Sequence, residues 1–330
     1  MVPAVPGGST LPRWEPSAQA EGEPKEDVMT DRTGAPVVVG VDGSPSALDA
    51  VRLAAREAVL RHRPLRVVNA FLWPLVGTPL GMVAPVLPDI ELRQEAEKLV
   101  EEAVDEARKV DAELAVTGAV VDGGPVAVLL RESRDAALLV LGHRGLGGFA
   151  ELLVGSAAVQ LSARADCPVL VARGEARADG PVVVGVDGSA LSDEAVGFAF
   201  AEAAARDAEL VVVHTWLYPQ PVSYREAFGD VLPLAYEPEQ LRADEQRVLA
   251  EAVAGWTERY PEVTVRPKLV AAATPARVLV EESVGAQLTV VGAHGRGSLG
   301  SLLLGSVSHA VLHHCHSPLA VVRHRGGRER

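Results

Sequence analysis

The phrase Val38-Val39-Gly40-Val41-Asp42-Gly43-Ser44 returns as Val183-Val184-Gly185-Val186-Asp187-Gly188-Ser189. Each copy is followed by a glycine-spaced loop: Gly142-His143-Arg144-Gly145, nine residues and Gly155-Ser156, then Gly292-Ala293-His294-Gly295, nine residues and Gly305-Ser306. A repeat this long restricts the chain to two copies of one folding unit. The 330 residues, 48% of them hydrophobic, suffice for two domains with their own cores.

Each copy reads as strands alternating with helices. Val37 to Asp42 is an apolar run suited to a buried parallel strand, and Ser46 to His62 has apolar positions at helical spacing. Leu65 to Leu72 is the next strand, and a proline-punctuated loop from Trp73 to Pro88 leads into a long helix from Ile90 to Val110. Three further strands, at Leu114 to Val121, Ala137 to Gly142 and Val169 to Ala172, are separated by helices at Val126 to Arg134 and Ala157 to Ala163. The second half repeats this series from Val182 to Val322, with a long connection from Tyr218 to Pro238. Right-handed crossovers then give an open parallel sheet with helices on both faces, an α/β fold in each half. The expected domains are 36–173 and 181–323. Residues 1–35, rich in Pro, Gly and Glu without periodicity, are expected to be disordered, with Met29 an alternative start of translation.

The net charge of -13 argues against nucleic acid as a partner, because phosphate-backbone binding needs a basic face. No uncharged stretch reaches the roughly 20 apolar residues that span a bilayer. The two cysteines, Cys167 and Cys315, sit near corresponding ends of the two halves, and a reduced compartment is the simpler reading. Together with the lack of a signal-like N-terminus, this leads to the expectation of a cytoplasmic protein without a membrane partner.

In open parallel sheets ligands bind beyond the carboxyl ends of the strands, and both repeated motifs stand there. Asp42 and Asp187 close the first strand of each half, and Gly142 and Gly292 close the fourth. Gly142 and Gly145, like Gly292 and Gly295, permit close backbone approaches and expose N–H groups to an anion. Gly155-Ser156 and Gly305-Ser306 open helices whose N-terminal N–H groups and dipole favour phosphate. The plainer reading has the glycines as turns, the serines as helix caps, and Asp-Gly-Ser as turn chemistry. Both readings stay open at this stage. His309, His313, His314, Cys315 and His316 suggest a metal, but the first half has no matching histidines, so they read as helix surface. No P-loop, nucleophile elbow or early dinucleotide fingerprint occurs.

The strand ending Val-Asp-Gly-Ser, the G-x-x-G-x9-G-S loop and the final Cys-Pro-Val-Leu-Val or Ser-Pro-Leu-Ala-Val-Val strand together resemble the universal stress protein family, as a tandem pair of its ATP-binding type. The resemblance implies two Rossmann-like five-stranded sheets in the order 3-2-1-4-5, and it implies bound ATP, with Mg2+ where charge must be neutralised. Carried over by position, Asp42 contacts the ribose, Ala70 the adenine through its backbone, and Gly142, Gly145, Gly155 and Ser156 the phosphates. Asp187, Thr215, Gly292, Gly295, Gly305 and Ser306 match them in the second half. Family members lacking the glycine loop do not bind ATP, and this chain keeps it twice. The family often has a hydroxyl where this chain has Ser308 and Ala158, which predicts tighter binding in the second half. The family also pairs modules through the last strand, so an internal pseudo-dimer is expected, and a homodimer of the full chain is left undecided.

Three functions compete. The leading one is a nucleotide-dependent stress-response and signalling module with a protein partner the sequence does not identify. A slow ATPase or phosphoryl-transfer enzyme would need a positioned base and charge from Arg144, Arg296 or Mg2+ held by Asp42 or Asp187. A structural interaction protein with vestigial loops is the third.

Overall fold

The computed structural model describes residues 34–73, 75–77, 83–85, 90–145, 154–217, 238–295 and 303–324. The expected disorder and alternative start before residue 34, the connection 218–237, and Arg296 lie outside these residues.

Strand β1 (Val37–Val41) is almost wholly valine, and its side chains are buried to both sides, which is why it lacks the alternation of a half-exposed strand. It leads into α1 (Pro45–Leu60), where Pro45 stands within the first turn, the position at which a missing N–H matters least. His62 follows α1 in the left-handed region at φ 52, as Asp207 follows its counterpart α5 (Ala190–Ala205) at φ 50. The first half continues through β2 (Leu65–Phe71), β3 (Leu75–Gly77), β4 (Val83–Pro85), α2 (Ile90–Arg108), β5 (Val116–Asp122), α3 (Pro125–Glu132), β6 (Leu138–Gly142), α4 (Ser156–Arg164) and β7 (Val169–Ala172). The second comprises β8 (Val182–Val186), α5 (Ala190–Ala205), β9 (Leu210–Trp216), α6 (Pro238–Arg259), β10 (Val265–Ala271), α7 (Pro275–Glu282), β11 (Leu288–Gly292), α8 (Ser306–His314) and β12 (Leu319–Val322). The segment read as a plain loop from Trp73 contains the short antiparallel pair β3–β4, with Leu75 opposite Pro85.

The sheet runs β5-β2-β1-β6-β7 in the first half and, in mirror sequence, β12-β11-β8-β9-β10 in the second. Every pairing within a half is parallel. The two five-stranded sheets are joined into one ten-stranded sheet. The reason is that β7 and β12, each bearing four buried apolar residues, pair antiparallel with Leu319 opposite Val171 and Val321 opposite Val169. A last strand buried on both faces cannot stand as an open edge, and its twin in the other half supplies the missing ladder.

Helices cover both faces. One apolar core gathers Val37, Val39, Ala54, Ala103, Val184, Phe200 and Leu249, and the other Val38, Leu139, Leu161, Val183, Leu279 and Leu312. Both cores draw residues from both halves. At the contact of α1 with α5, Glu57 and Glu202 each pair with both Arg61 and Arg206, the Arg61–Glu57 bond measuring 2.5 Å. Although burial opposes the charge, Glu202 and Glu57 hold the Arg206 guanidinium above its ordinary value.

Candidate functional site

The motifs converge because β1 lies beside β6 and β8 beside β11. Val39 is level with Val140, and Val184 with Val290, so Asp42 and Gly142, like Asp187 and Gly292, emerge at the same end of the sheet. On the other side β1 pairs with β2, Val41 being level with Asn69, which brings the Asp42 step alongside Ala70. Val186 is level with His214, which does the same for Asp187 and Thr215. Asp42, Ala70 and Gly142 therefore gather at the carboxyl ends of the strands in the first half, and Asp187, Thr215 and Gly292 in the second.

The aspartates are held by the turns they enter. Ser44 N–H donates to Asp42 Oδ1 at 3.0 Å, and Ser189 N–H to Asp187 Oδ1 at 3.0 Å. Gly43 and Gly188 make those turns at φ 85 and 72, conformations that a side chain disfavours. Gly145 and Gly295 lie against the other carboxylate oxygen: a Cβ on either would stand 2.5 Å from Oδ2 of Asp42 or Asp187. Glycine is thus required where the loop crosses the aspartate. Gly142 has a different reason, since a Cβ there would reach 2.8 Å from the Ser46 backbone.

The helix starts separate the two readings of the serines. Gly155 and Gly305 are the N-caps of α4 and α8, while Ser156 and Ser306 are the first helical residues. Neither helix has a side-chain cap bond or an acidic residue in its first turn, so the reading of these serines as caps fails. The glycine caps fold back onto their loops, with Gly155 N–H donating to the His143 carbonyl at 2.8 Å and Gly305 N–H to the Ala293 carbonyl at 2.9 Å. Around Gly155 a Cβ would meet nothing closer than 3.8 Å, so packing does not demand glycine there.

Behind this common frame stand polar residues that the motifs did not reveal. In the first half His143 Nδ1 donates to the Ala172 carbonyl at 3.0 Å and lies 3.2 Å from Ser46 Oγ, which accepts the Arg144 N–H at 3.2 Å. Burial chiefly holds the His143 imidazole below its ordinary range, with Arg173 and Arg144 adding to that and the Ala172 bond opposing it. Asn69 Nδ2 donates to the Val41 carbonyl at 2.9 Å, and in the second half His214 takes the Val186 carbonyl. A buried polar residue at the same place in two mainly apolar strands was the available signal. Ser308, chosen as a phosphate-side hydroxyl, donates to the Gly292 carbonyl.

The His309 and His313 rings lie 4.6 Å apart on α8, tilted by 39°, and among the described residues no three His, Cys, Asp or Glu side chains could share a metal. Cys167 and Cys315 are both buried. A cavity of about 220 Å³ beside Asp207, Glu209 and Glu262 lies at the opposite end of β9 from Thr215 and touches none of these groups. Among the described residues no helix is long and apolar enough to cross a membrane.

The model of the universal stress protein family matches residues 35–173 and again 180–323. A universal stress protein of Mycobacterium tuberculosis is 40% identical over 300 residues, spanning 87% of this chain and 96% of that one. One of Mycolicibacterium smegmatis is 35% identical over 300 residues, spanning 88% and 97%. Among solved structures, a universal stress protein from Archaeoglobus fulgidus superposes with a TM-score of 0.63 over 89% of this chain and 99% of that one, at 19% identity, a likeness of fold. The chain belongs to the universal stress protein family, as two tandem copies of its domain joined in one sheet.

Proposed function

We propose that each crevice binds ATP and that occupancy sets which protein partner the chain recognises in a stress response. One observation carries this reading: in each half an aspartate pinned under a glycine faces, across the loop, a helix whose first N–H groups are capped by no side chain among the described residues. A cap is usual because those groups otherwise lack partners, and phosphate is the partner they suit best. Asp42 and Asp187 would accept the ribose hydroxyls. Ala70 and Thr215 would offer backbone to the base. Gly142, Gly145, Gly155 and Ser156, with Gly292, Gly295, Gly305 and Ser306, would surround the phosphates. Mg2+ would neutralise phosphate charge in a chain that is itself acidic.

Among the described residues of the first crevice the His143 imidazole is already committed to the Ala172 carbonyl, which leaves it unsuited to act as a general base. The proposal is therefore a sensor in the cytoplasm rather than an enzyme. Isothermal titration with ATP and Mg2+, followed by chromatography of the recovered nucleotide, tests it. Two equivalents of intact ATP are expected, with one lost in Asp42→Ala and the other in Asp187→Ala. Recovered ADP would move the argument to a slow ATPase, and a flat titration would leave the loops as structural turns.

A further inference from the structure

Asn69 and His214 are each the fifth residue of their strands, β2 and β9, and each secures the peptide that leads into an aspartate. The Asn69 amide donates to the Val41 carbonyl at 2.9 Å, and His214 Nδ1 donates to the Val186 carbonyl at 2.9 Å. The two differ on the far side of the side chain. His214 continues from Nε2 to Oε2 of Glu245 on α6, at 2.7 Å, and is itself only 3% exposed. The second crevice is thus tied through one imidazole to a helix, and the first ends at an amide.

Both partners of His214 are acceptors, a carbonyl and a carboxylate. A neutral imidazole has one N–H, so the chain of two bonds needs a second proton between Nε2 and Oε2. Without it, a nitrogen lone pair would face a carboxylate across a contact in which His214 is buried and Glu245 partly exposed. The neighbouring charged groups are engaged elsewhere. Asp187 accepts Ser189 N–H and Oγ–H, Asp193 of α5 accepts Trp256 Nε1–H, and Lys268 of β10 pairs with Glu282. The residue level with His214 on β10 is the apolar Leu269.

We infer that His214 and Glu245 form a proton-held clamp that positions Asp187, making ligand binding in the second crevice proton-linked while the first, with Asn69, is not. The linkage rests on the ATP reading above; the clamp does not. As pH rises and the shared proton leaves, either the Val186 carbonyl or α6 is released, and the second crevice weakens. His214 is a positioning residue: it acts on the ligand through Asp187.

The full chain carrying Asp42→Ala, which silences the first crevice, is titrated with ATP and Mg2+ between about pH 6 and about pH 9. The chain carrying Asp187→Ala serves as the reference for the first crevice and for titration of the nucleotide itself. Relative to that reference, affinity of the second crevice should fall about three- to ten-fold as pH rises, the worth of one hydrogen bond. Adding Glu245→Gln should abolish the fall while keeping the affinity, because an amide can donate to a neutral Nε2. His214→Asn should abolish it too, by copying the first half. A second crevice that tracks the first with pH, or a slope that survives Glu245→Gln, overturns the inference. The 15N spectrum of the His214 ring gives a readout that needs no nucleotide. Two ring N–H groups are expected in the native chain while both bonds of His214 are made, and one in Glu245→Gln. The same single-proton ring in both overturns the clamp, whereas a flat titration with a doubly protonated native ring overturns the ATP reading alone.

Discussion

The two crevices share a backbone and differ in the side chains behind it. In the first, Ser44 Oγ accepts the Ala47 N–H at 3.2 Å and caps α1, and Ser46 joins His143 and Arg144. In the second, Ser189 Oγ leaves its helix uncapped and donates instead to Asp187 Oδ1 at 2.6 Å, and Leu191 stands where the first half has Ser46. Gly43 and Gly188, set by positive φ, and Gly145 and Gly295, set against a carboxylate, recur in both halves. The supporting polar contacts admit several solutions, and each half has its own. The halves can therefore be perturbed one at a time.

The largest effect is expected where the halves are alike. Glu57→Ala leaves Arg61 and Arg206 sharing one carboxylate in a buried contact, and Glu202→Ala does the same from the other side. Removing one member of a buried ion network costs about 3–5 kcal/mol. Urea unfolding should show this loss for both variants, equal to within about 1 kcal/mol, and in a single transition because the network joins the halves. A large loss from one variant only would mean that the ring is not shared equally.

The loop glycines should separate the halves. A Cβ at Gly142 would meet the Ser46 backbone at 2.8 Å, whereas one at Gly292 meets nothing nearer than the His294 carbonyl at 3.2 Å. Gly142→Ala should cost about 1–3 kcal/mol, as overpacking does, and Gly292→Ala less than about 1 kcal/mol. Thermal melts of the two variants check this, and equal losses would break the comparison.

Much of this was legible in the sequence. The repeat and the alternating apolar runs give the element order, because strands buried on both faces and amphipathic helices leave distinct patterns. The valine runs of β7 and β12 end in pairing with each other, a contact between residues distant in the chain that periodicity does not record. The crevices were legible through Asp42, Asp187 and the glycines. Gly145 shows why, since its need for a bare Cα comes from the aspartate itself. The roles of Ser46, Asn69 and His214 were not, because each is set by which carbonyl or imidazole stands opposite in space. The paired Glu57, Arg61 and Glu202, Arg206 repeat at helical spacing, but as i,i+4 pairs they read as ordinary surface bridges until α1 meets α5.

Ser308 sharpens the comparison on a smaller scale. Its hydroxyl donates to the Gly292 carbonyl, so the donor expected to strengthen phosphate binding in the second half is already engaged. Ser308→Ala should cost about 1 kcal/mol of stability, the net worth of such a bond. It should change ATP affinity less than about three-fold, which calorimetry reads. By the same reasoning Ser156→Ala and Ser306→Ala, at the first residues of α4 and α8, should weaken their crevices equally. A large loss of binding in Ser308→Ala would show that the hydroxyl changes partner when nucleotide enters.

The smallest effect is an acid sensitivity with a separate source in each half. His143 is held below the ordinary imidazole range chiefly by burial, and Ala293 replaces it in the second half. His313 on α8 is also lowered, by burial first and then by His309, Arg173 and His314. An imidazole depressed in the folded chain takes its proton more readily once unfolded, so falling pH favours the unfolded state. The contribution is complete above the ordinary histidine value of about 6.5 and declines as pH drops below it. His143→Gln, whose amide can still donate to the Ala172 carbonyl, should flatten part of the decline in melting temperature between about pH 7.5 and about pH 5.5. His313→Gln should flatten another part, and because Arg173 acts on both imidazoles the two effects should not add fully. A native slope that persists unchanged in His143→Gln would mean that the first-half loop accommodates an imidazolium, and the neutral His143 ring would then have no part in what distinguishes the two crevices.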